Sequence, residues 1–165
     1  MGARAPLERH VSLWDFAVAT YRRPAVEEVC LALQDDHGQC VPLLLWRLWA
    51  LNRLIDATDL RRAVDVARKW ETAVVAPLRS VRRELRESFP AVADDARLAM
   101  RERLKADELQ AEHVLLESLD RLTIVGDGAP ADAADALAEL VAAWGGDAPA
   151  HVLARLAAAA ASATG

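Results

Sequence analysis

Asp35, Asp36 and His37 follow one another near the end of a helical stretch, and carboxylates beside an imidazole form a donor set suited to a divalent cation. Glu108 and Glu112 stand at i,i+4 on one helix face with His113 next to them. That spacing is not the Glu-x-x-His motif which di-iron carboxylate bundles carry on paired helices. Solvated surface charge explains both groups, so no metal and no cofactor is expected, and Asp35, Asp36 and His37 stand as weak metal candidates. Two carboxylates at a helix C-terminus nevertheless oppose the helix dipole, which keeps that group in view.

Arginines form the second set. Arg79, Arg82, Arg83 and Arg86 share a stripe, and guanidinium forks match phosphate oxygens. The next helix is rich in Asp and Glu, including Glu102, Glu108, Glu112 and Glu117, so pairing between the two helices is the expected use of this stripe. Arg47 is different because it interrupts the apolar run VPLLLWRLWAL and needs an acceptor from outside its own helix. Asp15 and Glu28, on the two preceding helices, are the expected partners. Arg47, Asp15, Glu28 and the four stripe arginines are therefore the candidates for holding a ligand or anion. No Gly-rich phosphate loop, GxSxG elbow, HExxH or zinc spacing occurs, and no catalytic residue is assigned.

The elements that carry these residues can be read from their ends. Ser12 with Asp15 three positions on is a capping pattern that starts a helix at Leu13, and Pro24 stops it near Arg22. Pro24 opens a second helix that Gly38 ends, and Pro42 opens a third that is apolar nearly all round and belongs in the middle of a core. From Ala63 an apolar seam runs through Ala67, Trp70, Val74, Leu78, Val81 and Leu85, with a kink expected at Pro77. Pro90 then begins a long antiparallel partner from Ala91 to about Leu122. Beyond Gly126 the chain is Ala-rich, with helix propensity but little core volume, so residues 126–165 read as a weakly packed helical appendix. The expected organisation is a flexible stretch at 1–11, an all-α core of about five helices at 12–125, and that appendix. Trp14, Trp46, Trp49 and Trp70 read as core residues.

Bulk properties narrow the function classes. With 165 residues one domain is expected. The formal charge of −5 argues against a general nucleic-acid binder, and no uninterrupted apolar run reaches the length of a membrane span. Cys30 and Cys40 read as two small buried hydrophobes in a reducing compartment, and with no secretory segment at the start the cytoplasm is expected.

LWDFAVATY, Pro24, CLALQDDHG and LLLWRLW, followed by Trp70 and VVAPLRSVRREL, together resemble a family of small proteobacterial proteins of unknown function. The resemblance covers Leu13 to Glu117 and implies an all-helical fold, with an LWDFAVxxY segment and a VVxPLRxxRR segment as its marks. It implies no activity. The expected role is a protein-protein interaction module that meets another cytoplasmic protein. The alternative is an enzyme or a binder of a small molecule or anion, with its site between the N-terminal helices.

Overall fold

The computed structural model describes residues 11–51, 57–123 and 131–162. The chain is all-α and a single domain. In order it forms α1 (Leu13–Tyr21), α2 (Pro24–His37), α3 (Val41–Trp49), α4 (Ala57–Trp70), a π-helical turn (Glu71–Val75), α5 (Ala76–Glu84), α6 (Asp94–Leu122), α7 (Ala133–Trp144) and α8 (Ala150–Ala161). None of these helices is long and apolar enough to cross a membrane. The Ala91 start expected for α6 is corrected: Ala91 has φ 63° and belongs to the turn between α5 and α6.

α3 is the centre. Every residue from Val41 to Trp49 is buried, and the helix packs against α1, α2, α4, α6 and α7. Its neighbours are fixed by caps read directly from side-chain chemistry. Ser12 Oγ accepts the Asp15 N–H, and the carboxylate of Asp120 on α6 accepts the Leu13 N–H, so α1 is tied to α6 at its first turn. Gly38 ends α2 at φ 62°, the left-handed conformation a C-cap requires. The indole N–H groups of Trp46, Trp49 and Trp70 donate to Thr123 Oγ1, Val11 O and Ala111 O, so Trp46 and Trp49 are buried, and Trp70 half-buried, without an orphaned donor.

Just before Pro77, where a kink is expected, the helix carries a π turn. The Ala76 N–H bonds back to Glu71 O, one residue further than an α-helix would reach. That extra residue rotates everything after it, so the seam expected through Val74, Leu78 and Val81 does not hold. Val75 is fully buried and Val81 is 45% exposed. The inward line is now Ala67, Glu71, Val75, Arg79 and Arg82, which presents two arginines and a glutamate to α6.

The Ala-rich segment is not weakly packed. Leu137, Leu140, Val141, Leu153 and Leu156 are buried in the same core as α1 to α4, because sparse Leu and Val residues at helical spacing supply the volume that Ala lacks. Polar contacts add to the attachment. Gln39 Nε2 donates to Gly145 O, Trp144 Nε1 to Gly38 O, Arg68 to Trp144 O and Arg23 to Ala160 O. Gly146 closes on this corner so tightly that a Cβ there would lie 2.6 Å from Gln39 Nε2. The flexible start expected at 1–11 and the loop at Gly126–Pro130 lie, but for Val11, outside the described residues.

Candidate functional site: a pocket over Glu112

Three helices leave a gap between them. On α1, Trp14, Ala17, Val18 and Tyr21 fall at i, i+3, i+4 and i+7 and so share one face; on α6, Leu109, Glu112 and Leu116 do the same. Ala17 and Val18 are too small to fill the space between these faces. The start of α3 closes one side with Val41, Pro42 and Leu45, while Gln34 of α2 and Arg22 stand at the edge. The result is an open pocket of about 380 Å³ with mostly apolar walls, within the range that small ligands occupy. A more open depression of about 540 Å³ continues from it between α2 and α6, sharing Tyr21, Gln34, Leu109 and Glu112.

Glu112 is the carboxylate at the junction, and an ion cluster behind it sets its state. Arg79 Nε donates to Glu108 Oε1 at 2.8 Å, its Nη1 to Glu71 Oε1 at 2.9 Å, and its Nη2 to Glu112 Oε1 at 3.4 Å. Arg82 Nε takes the other oxygen of Glu108. The π turn makes this possible. Eight α-helical positions would leave Arg79 about 80° away from the face of Glu71, but with one residue absorbed the spacing acts as seven and the two fall within about 20°.

The cluster divides its carboxylates. Burial works to raise the Glu108 carboxyl, but hydrogen bonds from Arg82 and Arg79 outweigh it and hold the group below its ordinary value. Glu112 goes the other way. Burial raises it, and the charges of Glu108 and Glu71 oppose the partial relief from Arg79, so its pKa rises to about 7. Arg79 itself is held above its ordinary value: burial lowers it, but the hydrogen bond it donates to Glu108 and the charges of Glu71, Glu108 and Glu112 more than compensate. Burial, foremost, lifts the Tyr21 phenol to about 12, so it stays a hydrogen-bond donor beside Glu112 at any physiological pH.

The residues singled out from sequence are dispersed. Arg47 is buried as expected, but its partner is corrected: its Nη2 meets Glu139 Oε2 at 2.8 Å and its Nε donates to Ala136 O, both on α7. The Asp15 carboxylate instead accepts from the hydroxyl of the capping Ser12, and Glu28 pairs with Arg155 on α8, because α3 turns the Arg47 side chain toward α7 and away from α1 and α2. Asp35 pairs with Arg83 at 2.8 Å, both about half exposed. Asp36 and Arg86 are exposed, and neither they nor His37 line the pocket. Among the described residues no group of three His, Cys, Asp or Glu side chains could hold a metal ion. Of the stripe, Arg79 and Arg82 turn to carboxylates of α6, whereas Arg83 meets α2 and Arg86 faces solvent.

Sequence reasoning noted the Glu108 and Glu112 spacing but not the pocket, which needs residues from four helices. Trp14, expected in the core, only partly enters it. The ring is half-buried, lines the pocket, and stacks on His113 at 3.8 Å. Cys30 and Cys40 are free and buried, with burial pushing both thiols to about 12.

No curated protein and no solved structure matches this chain. A family model described as a protein of unknown function (DUF2390) matches residues 12–119. That span carries α1 to α5 and α6 as far as Leu119, and with them every residue lining the pocket, while α7 and α8 lie beyond it. The chain thus belongs to the DUF2390 family, whose function is unknown.

Proposed function

We propose that this protein binds a small, largely apolar molecule in the pocket between α1, α2, α3 and α6, with Glu112 as its polar anchor. One observation carries the reading: an open apolar pocket is lined by a carboxylate with a pKa near 7, whose sole hydrogen bond among the described residues is the 3.4 Å contact from Arg79. A carboxyl group in that state exchanges its proton near neutrality and is under-solvated, and a ligand donor can satisfy it. Fragment screening by NMR, read at the Trp14 indole N–H, tests this. Fragments should shift that resonance in the native chain and not in Val18→Trp, which fills the pocket. Shifts that persist in the filled variant count against it.

A second reading, docking of another protein, is favoured by the apolar residues Phe89, Val92, Leu98 and Met100, exposed where α5 turns into α6. Enrichment of one partner from the native host that Leu98→Lys with Met100→Lys abolishes would support it. The compartment we propose is the cytoplasm, a reading supported by two cysteines that remain free thiols.

A further inference from the structure

We infer that the ligand of this pocket is an organic cation, a protonated amine on an apolar body, whose ammonium group pairs with Glu112. The inference rests on the pocket reading above and adds the chemical class. Its ground is a charge count in the cluster behind the pocket. Glu71, Glu108 and Glu112 face Arg79 and Arg82, three carboxylates against two guanidinium groups, and all five side chains are between 10% and 27% exposed. Both oxygens of Glu108 are taken by the two arginines, and Arg79 gives its short contacts to Glu108 and Glu71. The uncompensated carboxylate is Glu112, and it is the one that opens on the pocket.

A charge in that position is stabilised by a proton or by a cation. The other groups facing Glu112 are Tyr21 of α1 and Gln34 of α2, both neutral, Arg22 at the exposed edge, and, in the adjoining depression, Lys105 with the carboxylates of Glu27 and Glu102, all exposed and screened by solvent. None of them supplies a buried positive charge. Trp14 and Tyr21 line the pocket with aromatic rings, a setting that favours an ammonium group. The apolar wall of Val41, Pro42, Leu45 and Leu116 takes a hydrocarbon body. An anion meets the opposite arrangement, since its charge would face Glu112 with both cluster arginines already paired. A hydrated divalent metal finds only one carboxylate in the pocket and no second oxyanion to share it.

The test compares three probes of matched shape, 2-phenylethylamine, 2-phenylethanol and 3-phenylpropanoate, titrated into the full chain at pH 8 with the Trp14 indole resonance as readout. The amine should bind about tenfold more tightly than the alcohol, and the carboxylate more weakly than either. Glu112→Gln should erase the preference of amine over alcohol while the alcohol still binds, which separates loss of the charge from loss of the pocket. Lowering the pH to 5.5 should weaken the amine and leave the alcohol unchanged, because Glu112 then carries its own proton. If the alcohol or the carboxylate binds the native chain as tightly as the amine, the cation assignment is overturned and the pocket stands. If none of the three shifts Trp14 in the native chain, the pocket reading itself fails, and this inference with it.

Discussion

Glu108 and Glu112 lie one turn apart on α6, share Arg79, and are driven in opposite directions, Glu108 below its ordinary value and Glu112 up to about 7. The difference is geometric. Glu108 is clasped at both oxygens by short guanidinium contacts, whereas Glu112 has one long contact and faces the pocket. Neighbouring groups whose environments separate their protonation states are a common mark of a functional site.

That separation predicts a pH-dependent stability. Because the folded-state pKa of Glu112 is raised, the stability it contributes is fully present below its ordinary value of 4.5 and is lost as pH rises through about 7. Glu112→Gln removes the penalty of a buried charge. With the side chain 27% exposed, the substitution should stabilise the protein at pH 8 by about 1–3 kcal/mol and change little at pH 4. Thermal melts of both chains at the two pH values measure it, and equal melting shifts at both would contradict the burial of this carboxylate.

The π turn predicts an unusual tolerance. Deleting Thr72, an exposed residue within the turn, should leave a regular α-helix in which Glu71 and Arg79 are seven apart and still share a face. Circular dichroism should show a cooperative melt within a few degrees of the native chain. Unfolding of the deletion variant would mean that the π turn itself, and not the register it sets, holds the cluster.

The helix ends were legible because each is a local event. Ser12 with Asp15, Pro24, Gly38 and Pro42 act within one turn of chain, and the structure uses each of them as its type implies. The burial of LLLWRLW was legible for a related reason: a helix apolar on every face leaves no side for water. What sequence spacing hid was non-local. A single added residue between Glu71 and Val75 moved the seam from Val81 to Arg82, and periodicity cannot foresee a register change that hydrogen bonding absorbs. The partner of Arg47 lies on α7, 92 positions away, and no pattern near Arg47 points there. The pocket was hidden most completely, since it is a space and its walls come from four helices.

The α7 and α8 packing predicts what truncation does. A chain ending at Thr123 would uncover the core faces that Leu137, Leu140, Leu153 and Leu156 now cover, each such side chain contributing about 1.5–3 kcal/mol of burial. Such a chain should lose its cooperative melt and bind a hydrophobic dye. A sharp transition near that of the full chain would show that the last two helices are dispensable after all.

Arg47 and Glu139 link α3 to α7, but the two ends differ: the guanidinium is 6% exposed and the carboxylate 55%. Among the described residues, removing the carboxylate leaves this buried charge with the carbonyl of Ala136 alone, so Glu139→Ala should cost about 1–2 kcal/mol in urea unfolding. Arg47→Met, which leaves no charge behind and fills the space, should cost less. The reverse order would indicate that the arginine makes a further contact essential to the fold.

The proposal that Glu112 anchors a cationic ligand is tested most directly by the carboxyl ¹³C titration of Glu112, recorded by NMR on the full chain with and without saturating 2-phenylethylamine. The free protein should show a midpoint near 7, and the bound protein a midpoint well below it, because an ammonium ion at the carboxylate competes with the proton. A midpoint near 4.5 in the free protein, or one that the amine leaves unmoved, would contradict the account.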